Sequence, residues 1–97
     1  MTVTIQTKAK AQLRDGYWWY EKQDPGAGDY FLRSMYAEIE SLPRYPGIHR
    51  KIRGYHRLLT ATFPFAIYYS IQNDAILVKA ILDTRRSPAW IRKQLGG

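Results

Sequence analysis

The alternation of apolar and polar positions is strongest in the second half of the chain, where it predicts two long strands. From Phe65 to Ile71 every second residue is large and apolar, so one face is buried and the other can meet solvent or a partner. The segment from Ala75 to Leu82 repeats this pattern. Between them lies Gln72-Asn73-Asp74, and because Asn and Asp tolerate the positive φ of a tight turn, we predict an antiparallel hairpin.

Shorter strands are predicted on either side of this hairpin. Arg57 to Phe63 is one such segment, and it ends at Pro64, where the chain should turn or bulge because proline has no N–H for a sheet ladder. Thr2 to Gln6 alternates more weakly and predicts a first strand at a sheet edge. The basic segment from Ile48 to Gly54 fits either a further short strand or a loop.

The first half of the chain follows a helical period instead. Apolar residues recur at steps of three and four from Lys8 to about Gln23, which predicts an amphipathic helix capped by Thr7. Asp24-Pro25-Gly26 interrupts this helix, and a second one is predicted from about Ala27 until Pro43. Its inner face is predicted to carry Phe31, Met35, Ile39 and Leu42. Because the linker is so short, the two helices should be antiparallel neighbours.

This order of elements predicts an α+β fold, β-α-α-β-β-β, with a helical hairpin packed on one face of a small twisted antiparallel sheet. Near the C-terminus, Ser87 and Pro88 have the residue types of an N-cap and a first helical position, which predicts a short final helix. With 97 residues, of which 45% are hydrophobic, the chain suits one domain covering residues 1–97.

Composition excludes several classes of site. The chain has no cysteine, which rules out thiolate zinc sites, disulfides and a cysteine nucleophile. No window approaches the run of about 18 apolar residues that a membrane span needs, so we expect a soluble, cytoplasmic protein. His49 and His56 have no neighbouring carboxylate, and the phosphate-loop, dinucleotide and HExxH motifs are absent. Neither a metal nor a cofactor is therefore expected.

The net charge of +7 is concentrated in the second half of the chain. Residues 1–43 contain five Lys or Arg against six Asp or Glu, a balance of −1, whereas residues 44–97 contain ten against two, a balance of +8. Such a field attracts a polyanion or an acidic protein segment. The candidate residues for contact with a target or a nucleic acid are Arg50, Lys51, Arg53, His56, Arg57, Arg85, Arg86 and Trp90.

Two of these candidates, Arg85 and Arg86, directly follow the last predicted strand. A rigid strand end can hold a guanidinium group in place, and its planar fork binds phosphate or carboxylate at two points. An ion pair between one of the two arginines and either Asp83 or a helix carboxylate explains the pattern equally well.

Several segments, taken in their order, resemble the RelE/ParE superfamily of toxins, of the plasmid-stabilisation type. They are Arg57-Leu58-Leu59, Phe63 to Tyr69, Asp74 to Val78 and Ile81 to Trp90, with Leu42-Pro43 and Tyr45-Pro46-Gly47 after the helical hairpin. The resemblance covers nearly the whole chain. It implies the toxin half of a type II toxin–antitoxin pair, a growth inhibitor that a cognate antitoxin neutralises.

The resemblance implies one of two mechanisms. RelE-like members cleave mRNA in the ribosomal A site, and ParE-like members inhibit DNA gyrase. Arg57 and Arg85 fall on basic positions of the RelE-like site, but two further basic positions fall on Leu59 and Ala66, and the aromatic proton-transfer position falls at or beside Ile91. This incomplete set favours gyrase as the target.

If the chain does cleave RNA, the catalytic residues are Arg57 and Arg85, and Lys51 or His56 must transfer the proton. The sequence leaves three functions open: a ParE-like gyrase inhibitor, a RelE-like ribosome-dependent mRNA endoribonuclease, and a non-toxic basic RNA-binding module. Whether the chain is an enzyme is therefore undecided. The expected partners are a cognate antitoxin and either gyrase or the ribosome with its mRNA, without a membrane or a small-molecule cofactor.

Overall fold

The computed structural model describes residues 1–96 as a five-stranded sheet that carries helices on both faces. In chain order the elements are β1 (Thr2–Ile5), α1 (Thr7–Gln23), α2 (Ala27–Ser41), β2 (Lys51–Ile52), β3 (Tyr55–Leu59), β4 (Phe65–Gln72), β5 (Ala75–Asp83) and α3 (Pro88–Gln94). A single 3₁₀ turn, Leu42–Arg44, follows α2. The predicted α+β class and the order of elements are confirmed, and the basic segment before β3 supplies the short strand β2.

The sheet has the strand order β1-β5-β4-β3-β2. Strands β2 to β5 are antiparallel, and the predicted hairpin is confirmed, with Gln72 opposite Ala75 and Asn73 at a φ of 54°. β1 lies at the edge, as predicted, but it pairs in parallel with β5, placing Thr2 opposite Ala75. The helical hairpin carries the chain across the sheet between β1 and β2, so β1 does not pair with its successor in sequence.

Two local boundaries differ from those predicted. β3 ends at Leu59 because the Thr60 hydroxyl donates to the carbonyls of Phe63 and Phe65, at 2.7 and 3.1 Å, and so closes a loop before the next strand. Thr7 is the first helical residue and not the cap, since Gln6 holds the N-cap position without a side-chain hydrogen bond. The predicted Ser87 cap is confirmed, because its hydroxyl accepts the backbone N–H of Trp90 at 3.1 Å.

The main core lies between the α1–α2 hairpin and the sheet, and it is rich in aromatic rings. Phe31 is completely buried, with ring centroids 5.2 Å from Tyr20, 5.2 Å from Phe63 and 5.0 Å from Phe65. Gly16 lets α1 approach this cluster, since a Cβ at that position would lie 2.6 Å from the Phe31 ring. The four residues predicted for the inner face of α2 are all buried: Phe31, Met35, Ile39 and Leu42.

A second, smaller core lies on the opposite face of the sheet. Its buried residues are Ala66, Tyr68, Ala80 and Leu82, and they are covered by Tyr55, Trp90, Ile91 and Leu95. The second face of the sheet is therefore partly covered by α3. Within residues 1–96, no helix has the length and apolar character needed to cross a lipid bilayer.

Candidate functional site

A basic cleft of about 300 Å³ lies between α3 and the second face of the sheet. Four arginines from four separate parts of the chain line it: Arg53, Arg57, Arg86 and Arg92. Its apolar lining includes Ile52, Tyr68, Ile91 and Leu95. We call the space between these four arginines the arginine cleft.

The strand register explains why the β2–β3 segment contributes two of these arginines. Arg57 lies opposite Tyr68 in the β3–β4 ladder, and cross-strand neighbours share a face of the sheet. Arg53 and Gly54 form the two-residue turn between β2 and β3, with φ values of 54° and 85°. Left-handed φ values are uncommon for arginine, yet this turn needs them at both central positions to match the twist of the strands. The turn places Arg53 at the cleft.

Arg85 and Arg86 are consecutive in sequence, but they make different contacts. Arg85 donates from Nε and Nη2 to the two carboxylate oxygens of Asp83, at 3.1 and 2.8 Å, and these bonds hold the pKa of Asp83 below its ordinary value. The Arg86 guanidinium instead lies 4.0 Å from the centroid of the Trp90 ring, a cation–π contact. The alternative of an ion pair with Asp83 is thus confirmed for Arg85, and Arg86 lines the cleft.

No carboxylate lines the arginine cleft in the part of the chain that the structure describes. Across residues 1–96, the Arg85–Asp83 contact is the one salt bridge. Within these residues the four cleft arginines therefore form no salt bridge, and Asp83, whose charge also acts on Arg86, pairs with Arg85. Because guanidinium groups stay protonated at any physiological pH, the cleft attracts anions under all such conditions.

The two histidines lie on the other face of the sheet, around the buried Tyr69. His49 Nδ1 is 2.6 Å from the Tyr69 hydroxyl, and His56 Nδ1 donates to the His49 carbonyl at 2.7 Å. The His56 ring also stacks on the Tyr69 ring, with centroids 5.1 Å apart. Successive residues of a strand point to opposite faces, so His56 is separated from Arg57. This corrects the expectation that His56 and Arg57 belong to one site.

Arg50 and Lys51 are exposed residues outside the cleft. Lys51 pairs with His56 in the β2–β3 ladder and therefore shares its face, whereas the next residue, Ile52, lines the cleft. Of the eight residues proposed from the sequence, the structure thus brings Arg53, Arg57 and Arg86 into one cleft, with Trp90 holding Arg86.

Comparison with known proteins supplies the family. Residues 3–88 match the family described as "ParE toxin of type II toxin-antitoxin system, parDE". The chain belongs to the ParE toxin family. A solved structure described as "Chromosomal ParDE TA system from P. aeruginosa" has the same fold, with a TM-score of 0.80 and 19% sequence identity, over 88% of this chain and 97% of that chain. No curated protein sequence matches this chain.

Membership of the ParE family confirms the resemblance to the RelE/ParE superfamily and identifies the chain as a toxin of a type II module. It also supports a cognate antitoxin as partner. The family match runs from the second residue of β1 to the first residue of α3, so it includes Arg53, Arg57 and Arg86. Arg92 lies beyond the matched residues.

Arg92 is the cleft arginine of this ParE-family toxin that sequence reasoning missed. Its signal was the helical spacing of Pro88, Arg92 and Leu95, which follow one another at steps of four and three and therefore share one face of α3. All three line the arginine cleft.

The histidine cluster gives this toxin a stability that depends on pH. Burial and the neighbouring His56 lower the pKa of His49, while Glu38 acts in the opposite direction. Because the pKa is lower in the folded chain, the unfolded chain takes up the proton first. The stability that neutral His49 provides is therefore complete above about pH 6.5 and decreases as the pH falls toward the folded pKa.

We expect His49→Gln to flatten this pH dependence. The free energy of unfolding should be measured in urea between about pH 7.5 and pH 5, where an unperturbed histidine titrates. The wild type should lose stability as the pH falls, and His49→Gln should lose less. Lys51→Gln, an exposed neighbour whose charge does not change in this range, should keep the wild-type slope. Equal slopes for His49→Gln and the wild type would show that His49 does not titrate as described.

Proposed function

We propose that this ParE-family toxin inhibits growth by acting on DNA gyrase, and that the face carrying the arginine cleft contacts the target. The observation that supports gyrase over mRNA cleavage is the chemistry of the cleft. It offers cations that stabilise negative charge, but among the described residues its lining contains no histidine, lysine or carboxylate that could accept a proton from a ribose hydroxyl.

Several side chains near the cleft are excluded as proton acceptors, each for its own physical reason. Arginine does not deprotonate in proteins. Tyr68 is only 2% exposed, so its hydroxyl is closed to a substrate. His56 faces the other side of the sheet, and both carboxylate oxygens of Asp83 accept hydrogen bonds from Arg85.

The two residues that would be catalytic in a ribonuclease, Arg57 and Arg85, do not lie in one site. Arg57 lines the cleft, whereas Arg85 is bound to Asp83 and does not line it. This arrangement makes the RelE-like alternative the weaker one. Membership of a toxin family likewise leaves the non-toxic RNA-binding module without support.

The test is a supercoiling assay with purified gyrase, relaxed plasmid and this toxin. We expect supercoiling to be inhibited as toxin is added, and an mRNA in a translating extract to stay intact at the same toxin concentration. Supercoiling that is unaffected at saturating toxin would disprove the proposal. Cleavage of mRNA that requires the ribosome would establish the RelE-like function in its place.

A further inference from the structure

We infer that the arginine cleft is a phosphate-binding site that grips the DNA backbone, so that the toxin contacts the DNA as well as the protein of its target. The link to gyrase rests on the function proposed above. The binding of phosphate by the cleft rests on the geometry alone.

The first argument is the identity and origin of the cations. Arg53 comes from a turn, Arg57 from β3, Arg86 from the segment after β5 and Arg92 from α3, yet they converge on a single cavity. All four are arginines, and a guanidinium fork makes two parallel hydrogen bonds to one phosphate group. Convergence of four such groups without a carboxylate places a positive field in a concave site, where it is focused.

The second argument is that the nearest carboxylate, Asp83, forms its salt bridge with Arg85 and not with a cleft arginine, although its charge also acts on Arg86. Asp83 precedes Arg86 by three residues. An ion pair between them would weaken the attraction of Arg86 for an anionic ligand. Arg85 occupies both oxygens of Asp83, while the Trp90 ring holds Arg86 at 4.0 Å. Arg85 thus forms the salt bridge with Asp83, and the Arg86 guanidinium can still donate hydrogen bonds to an anion.

The third argument favours a nucleic-acid backbone over an acidic peptide. A cavity of about 300 Å³ with an apolar lining of Ile52, Ile91 and Leu95 between its cations suits a phosphate with its sugar. Two further cations are close in sequence to residues of the cleft: Arg50 comes two residues before Ile52, and Lys93 directly follows Arg92. This series of cations matches a backbone that repeats its charge about every 3.4 Å along each strand.

The experiment measures the anisotropy of a fluorescent 20-base-pair duplex as toxin is added at several salt concentrations. The test variant is Arg57→Gln with Arg92→Gln. The matched control, Arg14→Gln with Arg33→Gln, removes the same charge from exposed positions on α1 and α2. Circular dichroism verifies that both variants fold.

We expect the test variant to bind the duplex about 100-fold more weakly than the wild type, because each lost arginine removes a charge-assisted contact worth about tenfold or more in affinity. The slope of log affinity against log salt should fall by about two. The control should stay within a few-fold of the wild type. Equal losses in both variants would mean general attraction by net charge and would overturn the inference.

Two further outcomes separate this inference from the proposed function. If polyglutamate displaces the duplex at equal concentrations of charge and depends on the same two arginines, the cleft binds acidic protein segments and the inference is wrong. If the test variant loses DNA binding but inhibits gyrase as the wild type does, gyrase remains the target, and the inference that the toxin contacts DNA when it acts on gyrase is wrong. If the wild type binds DNA through the cleft but leaves supercoiling unaffected, the phosphate site stands and the gyrase proposal fails.

Discussion

Phe31→Ala is expected to lower the free energy of unfolding by about 3–5 kcal/mol, the range for truncating a fully buried phenylalanine. The side chain is 0% exposed and lies at the centre of the aromatic cluster under the helical hairpin. The aromatic rings that contact Phe31 come from α1, from the loop before β4 and from β4 itself. Truncation therefore loosens the hairpin and the sheet together.

The loss is large against the total stability of a domain of this size, about 5–15 kcal/mol. Urea unfolding followed by circular dichroism measures it directly. The control is Tyr30→Ala, the neighbouring aromatic, which is 51% exposed and keeps one edge contact with Phe63. It should cost clearly less than Phe31→Ala, because only a half-buried ring and one edge contact, worth about 0.5–1.5 kcal/mol beyond its area burial, are lost. Similar losses in the two variants would show that Phe31 does not anchor the core.

Those features of the fold that depend on local periodicity were predictable from the sequence. The long hairpin of β4 and β5 follows from side chains that alternate faces, together with an Asn-Asp turn. The helical hairpin follows from the spacing of its apolar residues and from the Pro-Gly interruption. In each case, residues close in sequence determine the outcome.

Features that depend on distant contacts were not predictable. The parallel pairing of β1 with β5 joins residues more than 70 positions apart, and nothing in a four-residue strand specifies its partner. Ser87 and Pro88 predicted the short helix α3, but not that it would pack on Ala66 and Tyr68 across the sheet. The early end of β3 arises from the Thr60 hydroxyl, a side-chain contact that periodicity does not register.

The candidate site, like the fold, was predictable from the sequence only in part. The sequence identified the basic half of the chain and most of its cations, because charge is visible in composition. It grouped His56 with Arg57, and Arg85 with Arg86, because these residues are adjacent in sequence. Neighbouring residues of a strand point to opposite faces, however, which separates His56 from Arg57. Arg85 pairs with Asp83, whereas Arg86 lies over Trp90. Deciding which candidate residues form one site requires knowing which face of the sheet each side chain occupies, and only the three-dimensional structure supplies that.

Replacing both Arg57 and Arg86 by glutamine is expected to abolish growth inhibition when the toxin is expressed without its antitoxin. Each arginine supplies a charge-assisted contact worth about 1.5–3 kcal/mol, so the loss of both weakens target binding by at least about 100-fold. The side chains line a cleft and lie outside the main core, so the chain should stay folded. The measurement is the number of colony-forming cells after induction, with the amount of soluble toxin determined by immunoblot.

The matched comparison lies within the Arg85–Arg86 pair, where the same substitution is made at neighbouring positions. Arg86→Gln removes a cation from the cleft, whereas Arg85→Gln removes the partner of Asp83 and affects the cleft only through that carboxylate. Arg86→Gln should therefore restore growth much more than Arg85→Gln does. Because the two variants have the same net charge, a difference between them reports position and not general electrostatics. If Arg85→Gln relieves growth inhibition and Arg86→Gln does not, the target contacts the Asp83–Arg85 pair, and the arginine cleft is not the surface that binds it.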